Sequence, residues 1–247
     1  MQMMIFNRMI ANIKMLFDKV VEEEKQKREA EILVLQYQIN PHFLFNTFNS
    51  ISAIAEQHNV AAISQIIRSL SNLLRTVLKK SGQLITVDEE VNMAKEYISI
   101  QQVRYKDRIQ VEYNIDSTLL QCRMPCMLLQ PLIENAITHG LSRKLNMNDN
   151  NAFIRINIFK NNQDDLYIEI WDNGRGMPLE DIQNLLNLDI VDKSYQRKSA
   201  HIGIVNTNNR IQYLFGETYG LNIASIPCEY LSVIIHLPIL QGGIDIC

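Results

Sequence analysis

Apolar positions along the chain change period twice. Through residues 1–30, Ile10, Ile13, Phe17 and Val20 recur at 3-4-3 spacing, the seam of a coiled-coil helix, and the charged run VEEEKQKREAE continues it without a breaker. From Glu31 to about Gln57, Leu33, Tyr37, Leu44, Phe48, Ile51 and Ala55 fall on one helical face. On that wheel His42 lies opposite Ile51, nine residues away, with Asn46 and Asn49 on its side, so His42 is expected to face outward. Pro41 removes a backbone donor and predicts a kink just before it. After HNVAA, a helix from about Val60 to Lys80 carries Ile63, Ile67, Leu70, Leu74 and Val77 at 4-3-4-3 spacing. Two helices with so short a link form an antiparallel hairpin, and pairing two hairpins into a four-helix bundle buries the stripe, which predicts a homodimer.

Beyond KKSGQ, near Ser81 to Gln83, the period shortens to two. The sequence Thr86-Val87-Asp88-Glu89 is a capping box that opens a helix to about Arg104. RIQVEYNID, FIRINIFK and LYIEIWD alternate strictly, with Ile109, Val111, Tyr113 and Ile115, then Ile154, Ile156 and Ile158, then Leu166, Ile168 and Ile170 on one side; YLSVIIHLP is a last strand. Helices are expected at about Pro125 to Leu141 and Ile204 to Phe215, and NMNDNN reads as a surface loop. Strands with helices grouped on one face of a mixed sheet give an α+β sandwich. The predicted organisation is a linker helix at 1–30, a helical hairpin at 31–82 and a sandwich domain at 83–247.

Composition narrows the partners. The chain has 247 residues, 47% hydrophobic and 21% charged, with a net charge of -3, and no basic excess points to nucleic acid. No apolar run approaches the ~20 residues of a membrane span, and the N-terminus does not have the form of a signal peptide. Cysteines 122, 126, 228 and 247 include one CxxxC without a second pair or a nearby histidine, which favours small buried thiols over zinc.

Three stretches bear on chemistry. In LLQPLIENAITHG, Leu129, Leu132, Ile133, Ala136 and Ile137 form an apolar face; Gln130, Glu134 and Thr138, with Asn135 and His139 beside them, form the other. An amide and a carboxylate together suit a hydrated magnesium ion bridging phosphates, although a solvated helix face has the same look. In WDNGRGM, Asp172 ends an apolar strand, and Gly174 and Gly176 permit tight turns close to a ligand. A carboxylate there accepts from an exocyclic amine such as adenine N6, and DNG is equally a routine turn. In HIGIVNTNNRI, Gly203 opens a helix whose free N–H groups suit phosphate, with Asn206 and Arg210 one turn apart, or it is a capped surface helix. The polar stretch between Met177 and Ala200, with the short helix PLEDIQNLLNL, suits a mobile lid.

The order of these stretches resembles the Bergerat-type ATP-binding fold, shared by histidine kinases and gyrase-type topoisomerases. Upstream, LQYQINPHFLFNTFNSI resembles the phospho-acceptor helix of LytS/YesM-type sensor histidine kinases, and EEVNMAKEYISIQQVRY and LLQPLIENAITHG look like the same family. The resemblance runs from about Glu31 to Leu237. It implies that His42 receives the γ-phosphoryl group of ATP, that Asn135 binds Mg2+ with Glu134 as its acidic neighbour, and that Asp172 binds adenine. It also implies that Gly174, Gly176 and Gly203 form the nucleotide loops; His139, from the polar face of its helix, and Asn206 and Arg210, from their spacing, are further candidate nucleotide contacts. One departure is His201-Ile202-Gly203, where many relatives read G-x-G. A second is Phe43 where many histidine kinases carry an acid, which leaves Glu134 as the candidate proton acceptor, with Asn46 placed to set the imidazole tautomer. The phosphoryl group then passes to an aspartate of a response regulator. Because such kinases usually carry sensor and membrane segments upstream, the chain is expected to work on the cytoplasmic side of the membrane. The rival readings are a Bergerat-fold ATPase or serine kinase without phosphohistidine, a degenerate kinase acting as a dimeric scaffold, and a metal-binding histidine site.

Overall fold

The computed structural model describes residues 41–80, 82–147, 149, 151–161, 165–186 and 202–240. The linker helix at 1–30, the first ten residues of the predicted acceptor helix, the turn before Pro41, most of the lid, and His201 lie outside them. The chain divides into two compact units at the Ile51–Ser52 step.

Helix α1 (Pro41–Gln57) and helix α2 (Ala61–Lys80) are joined by a short turn in which Asn59 takes a left-handed conformation, φ 56°. On α1, His42, Asn46 and Asn49 are exposed, Leu44 and Phe48 are half-buried and Ala55 is buried, whereas Ile51 of the same predicted stripe is 38% exposed. Helix α2 departs from expectation. Its predicted seam residues Ile63 and Leu70 are 42% and 38% exposed, whereas Leu73 is buried, together with Ser64 and Ser69. The reason is a second contact surface. Leu73 clusters with Ile85, Met93 and Cys126, because α2 lies along helix α3 (Val87–Arg104). Gln65 donates to Ser99 at 3.2 Å, Asn72 to Glu96 at 2.9 Å and Lys80 to Glu89 at 3.1 Å along that contact.

Helix α3 starts where the capping box predicts. Glu89 N–H donates to Thr86 Oγ1 and Thr86 N–H to Glu89 Oε2, each at 3.1 Å. A two-stranded ribbon that the alternation did not disclose brackets it: β1 (Leu84–Thr86) pairs antiparallel with β3 (Arg123–Pro125). Pro125 therefore ends a strand and does not open a helix as expected. Helix α4 (Leu129–Asn135) begins four residues later, after Met127 at φ 64°. It runs into a π-helical turn, Ala136–Gly140, and a short helix α5 (Ser142–Asn146).

Strands β2 (Ile109–Ile115), β4 (Ala152–Lys160), β5 (Asp165–Asp172), β6 (Gly220–Ile226) and β7 (Tyr230–Pro238) form one sheet in the order β2-β4-β5-β7-β6, with β2 and β4 parallel and the other neighbours antiparallel. Strand β6 was not predicted, since LNIAS offers too few apolar alternations. The inner face stacks Ile154, Ile156 and Ile158 beside Leu166, Ile168 and Ile170 and beside Val233, Ile235 and Leu237. Against it pack α3, α4, helix α6 (Leu179–Leu186) and helix α7 (Ile202–Phe215), through Val91, Ile98, Leu132, Ile133, Ile182, Ile204 and Ile211. The α+β sandwich is thus the observed architecture. Cys122 and Cys126 are both buried but belong to different apolar clusters, while Cys228 is exposed, contrary to the expectation of uniformly buried thiols. No described helix is long and apolar enough to cross a membrane.

Candidate functional site

Asp172 is the last residue of β5, and the alternation that buries Ile168 and Ile170 also buries it, to 1% exposure. Its carboxylate accepts the Gly174 N–H at 2.9 Å. Burial pushes the carboxyl up to about 7, against the pull of that hydrogen bond and of Lys144. Asn173 pins the turn to β4: it accepts the Phe153 N–H at 2.9 Å and donates to the Asn151 carbonyl at 2.8 Å.

The glycines here are needed for the protein's approach to itself. A Cβ on Gly140 would overlap the Asp172 carboxylate, and one on Gly174 would overlap the Gly140 carbonyl. Gly176, at φ 62°, sits against the Ile226 carbonyl, so its missing side chain faces the β6–β7 turn. That turn braces the loop: Cys228 N–H donates to the Arg175 carbonyl at 2.6 Å, and Met177 N–H to Ser225 Oγ at 2.7 Å. Gly140 was not among the predicted site residues, although it closes the ENAITHG string. Its π-helical turn aims the Gly140 carbonyl at the Arg175 N–H, 3.0 Å away, and so joins α4 to the Asp172 loop.

On α4, Asn135 is 7% exposed and its Nδ2 donates to the Pro131 carbonyl at 2.9 Å. Only the amide nitrogen can donate to a carbonyl, so the oxygen is the atom left for a cation, the hard donor that magnesium prefers. A Cβ on Gly203 would stand 3.0 Å from that Nδ2, so the first turn of α7 rests on Asn135. Glu134 beside it is exposed. His139 is half-buried; burial, then the Arg175 charge, lowers its pKa, and Glu134 opposes them. Gln130 Oε1 is buried with no hydrogen-bond partner among the described residues.

Thus the structure brings Asn135, His139, Asp172, Gly174 and Gly203 together around α4 and the end of β5. It separates Arg210 from the expected phosphate role: Nη1 donates to the Cys126 carbonyl at 2.7 Å, a contact one cannot see without the fold. Asn206 is exposed on the first turns of α7. In the other unit, the Asn46 amide nitrogen lies 3.3 Å from His42 Nδ1, and Phe43 is 66% exposed.

The donor set fits a nucleotide. A buried acceptor sits at a glycine-floored strand end for a base amine, and the Asn135 amide, its nitrogen committed to the Pro131 carbonyl, lies beside Gly203 in the first turn of α7, where phosphates favour free N–H groups. Comparisons with known proteins agree. The histidine kinase family matches residues 30–109, and the family of histidine kinase-, DNA gyrase B- and HSP90-like ATPases matches residues 124–240. Sensor histidine kinase YesM of Bacillus subtilis is 32% identical over 94% of this chain and 37% of its own length. Sensor histidine kinase BtsS of Escherichia coli is 32% identical over 87% of this chain and 35% of its own length, and sensor protein LytS of Bacillus subtilis 31% identical over 89% and 35%. The chain therefore spans little more than a third of the length of these curated relatives. Among solved structures, the histidine kinase domain of a blue-light activated histidine kinase from Erythrobacter litoralis is similar at TM-score 0.44 and 14% identity, over 81% of this chain and 94% of that one. With the histidine kinase match followed by the ATPase match, and with such relatives across nearly its whole length, the chain belongs to the sensor histidine kinases.

Proposed function

We propose that the chain is the kinase part of a two-component system, phosphorylating His42 from ATP and passing the phosphoryl group to an aspartate of a response regulator. The observation that carries the nucleotide reading is the buried Asp172 carboxyl floored by Gly140, an acceptor at a strand end suited to the amine of a base. The family match over residues 30–109 favours an acceptor helix over an ATPase that lacks one.

In this reading the adenine amine meets Asp172, and the phosphates lie between Asn135 and the N-terminus of α7. The Asn135 oxygen would hold Mg2+, whose chemistry is to neutralise phosphate charge. His42 attacks as the neutral imidazole. A bond forms from ring nitrogen to Pγ, the bond from Pγ to the bridging oxygen breaks, and ADP leaves with that electron pair. The ring proton passes to a base, for which Glu134, exposed beside Asn135, is our assignment. Asn46, within reach of the imidazole, fixes which ring nitrogen carries the proton. The apolar side chains of Ile54, Ile63 and Leu70, exposed in the single chain, support a homodimer. ATP as donor places the reaction on the cytoplasmic side.

Incubation with γ-labelled ATP and Mg2+ tests the reading. Label that is acid-labile and base-stable, and that disappears in His42→Gln, is the expected result. Label retained in that variant removes His42 as the acceptor.

A further inference from the structure

Helix α4 carries Asn135, yet Leu128 at its start makes no side-chain cap. The cap comes from another helix. Glu90 on α3 is 1% exposed, and its carboxylate accepts the backbone N–H groups of Met127, Leu128 and Leu129, each at 2.8 Å. These are the donors that a helix start leaves unpaired, and a negative charge there also meets the positive end of the helix dipole. Arg210 of α7 completes the arrangement. It holds the Cys126 carbonyl at 2.7 Å; burial raises the Glu90 carboxyl, and the three backbone N–H groups and then the Arg210 charge oppose that rise. Three helices thus converge on one buried carboxylate.

Packing alone does not call for an acid there. Glu90 lies on the same helical stripe as Val87, Val91, Ala94 and Ile98, all buried, and a methionine or leucine would continue that stripe. A buried charge carries a desolvation cost of several kcal/mol that only good geometry offsets. What the acid adds over an apolar residue is a fixed relation between α3 and the first turn of α4. Helix α3 is also the surface on which α2 lies, and Cys126, next to the capped N–H groups, shares a cluster with Leu73 of α2.

We propose that Glu90, braced by Arg210, is a positioning residue for the nucleotide site: by capping α4 from α3 it sets the helix position that presents Asn135 and Glu134 to the ATP phosphates. The proposal rests on the ATP reading of Asn135 and Asp172.

The test uses the full chain. Glu90→Gln keeps the shape and removes the charge; its amide oxygen still accepts, while its NH2 opposes one backbone donor. ATP Kd, the rate of His42 phosphorylation at saturating ATP, and amide exchange are measured on the folded protein. The expected result is an ATP Kd raised at least tenfold, with exchange at residues 127–129 accelerated far more than in β5. Glu90→Asp, which keeps the charge, is expected to recover part of the affinity. Should Glu90→Gln not fold, Arg210→Met leaves the carboxylate in place and is expected to weaken ATP binding by a smaller factor. A folded variant with parental ATP Kd and parental rate overturns the proposal even if its Tm falls, because a merely structural cap would move Tm alone. Exchange that accelerates evenly over the domain also overturns it. If the parent binds no ATP, or if Asp172→Asn binds as the parent does, the ATP reading itself fails and the inference falls with it.

Discussion

Asp172 is a carboxyl whose protonation competes with the adenine contact proposed for it. Burial raises it from 3.8 to about 7, so the nucleotide-free fold keeps a proton that the unfolded chain releases above pH 4. Its contribution to stability is therefore largest below about pH 4 and falls as pH rises to about 7, by roughly 4 kcal/mol at most. An adenine amine donates more strongly to the ionised form. ATP binding is thus expected to release about half a proton at pH 7 and to tighten between pH 6 and 8. Calorimetry in two buffers of different ionisation enthalpy, with Asp172→Asn run alongside to cancel the titration of ATP itself, checks this. Equal proton release from both proteins would remove Asp172 as the adenine partner. Asn46 makes a second prediction at this scale. Asn46→Ala is expected to lower the rate of His42 phosphorylation and shift its pH profile while leaving ATP Kd unchanged, since Asn46 contacts the imidazole and belongs to the other unit. A parental rate and profile would show that the tautomer is set elsewhere.

At the scale of elements, the site depends on backbones that approach more closely than side chains allow. The π-helical turn after α4, the loop after β5 and the turn before β7 form a stack in which Gly140 meets Asp172, Gly174 meets Gly140 and Gly176 meets Ile226. Gly140→Ala is expected to cost about 1–3 kcal/mol through overpacking and to weaken ATP binding at least tenfold, measured by thermal melting and titration. Binding at parental strength would mean that the loop shifts freely. The alternating strands and the capping box were legible in the sequence because each is a local pattern: Ile154, Ile156 and Ile158 repeat with the pleat, and Thr86 and Glu89, three residues apart, bond to each other's backbone. Thr86→Ala is accordingly expected to cost about 1 kcal/mol in a melting experiment without altering ATP Kd. The π-helical turn and the ribbon of β1 with β3 were not legible. Three-residue strands have no periodicity to show, and Pro125, which suggested a helix start, ends a strand there because its partner Leu84 lies 41 positions away.

For the whole molecule, the two faces of α2 divide the labour. One packs on α3 through Leu73; the other leaves Ile63 and Leu70 exposed, and Ile54 of α1 is 57% exposed. A second copy of the chain is the partner we propose for that apolar surface. Ile63→Lys with Leu70→Lys is expected to turn a dimer into a monomer by light scattering, with ATP Kd unchanged because Asn135 and Asp172 are on other elements. A parent that is monomeric at every concentration tested would rule the dimer out.

The outward face of His42, the sandwich of strands and helices, and the choice of Asn135 and Asp172 as candidate site residues followed from the sequence by itself. These depend on periods of 3.6 and 2 and on short contiguous strings, which act over a few residues. The tertiary structure alone decided that Arg210 serves the Cys126 carbonyl, that Gly140 floors Asp172, that α2 uses a second face, and that Glu90 caps a helix 37 to 39 positions away. A carboxylate on an apolar stripe was the one visible sign of that last contact. Its partners are backbone N–H groups, which look the same in every sequence until the fold shows which of them lack a partner.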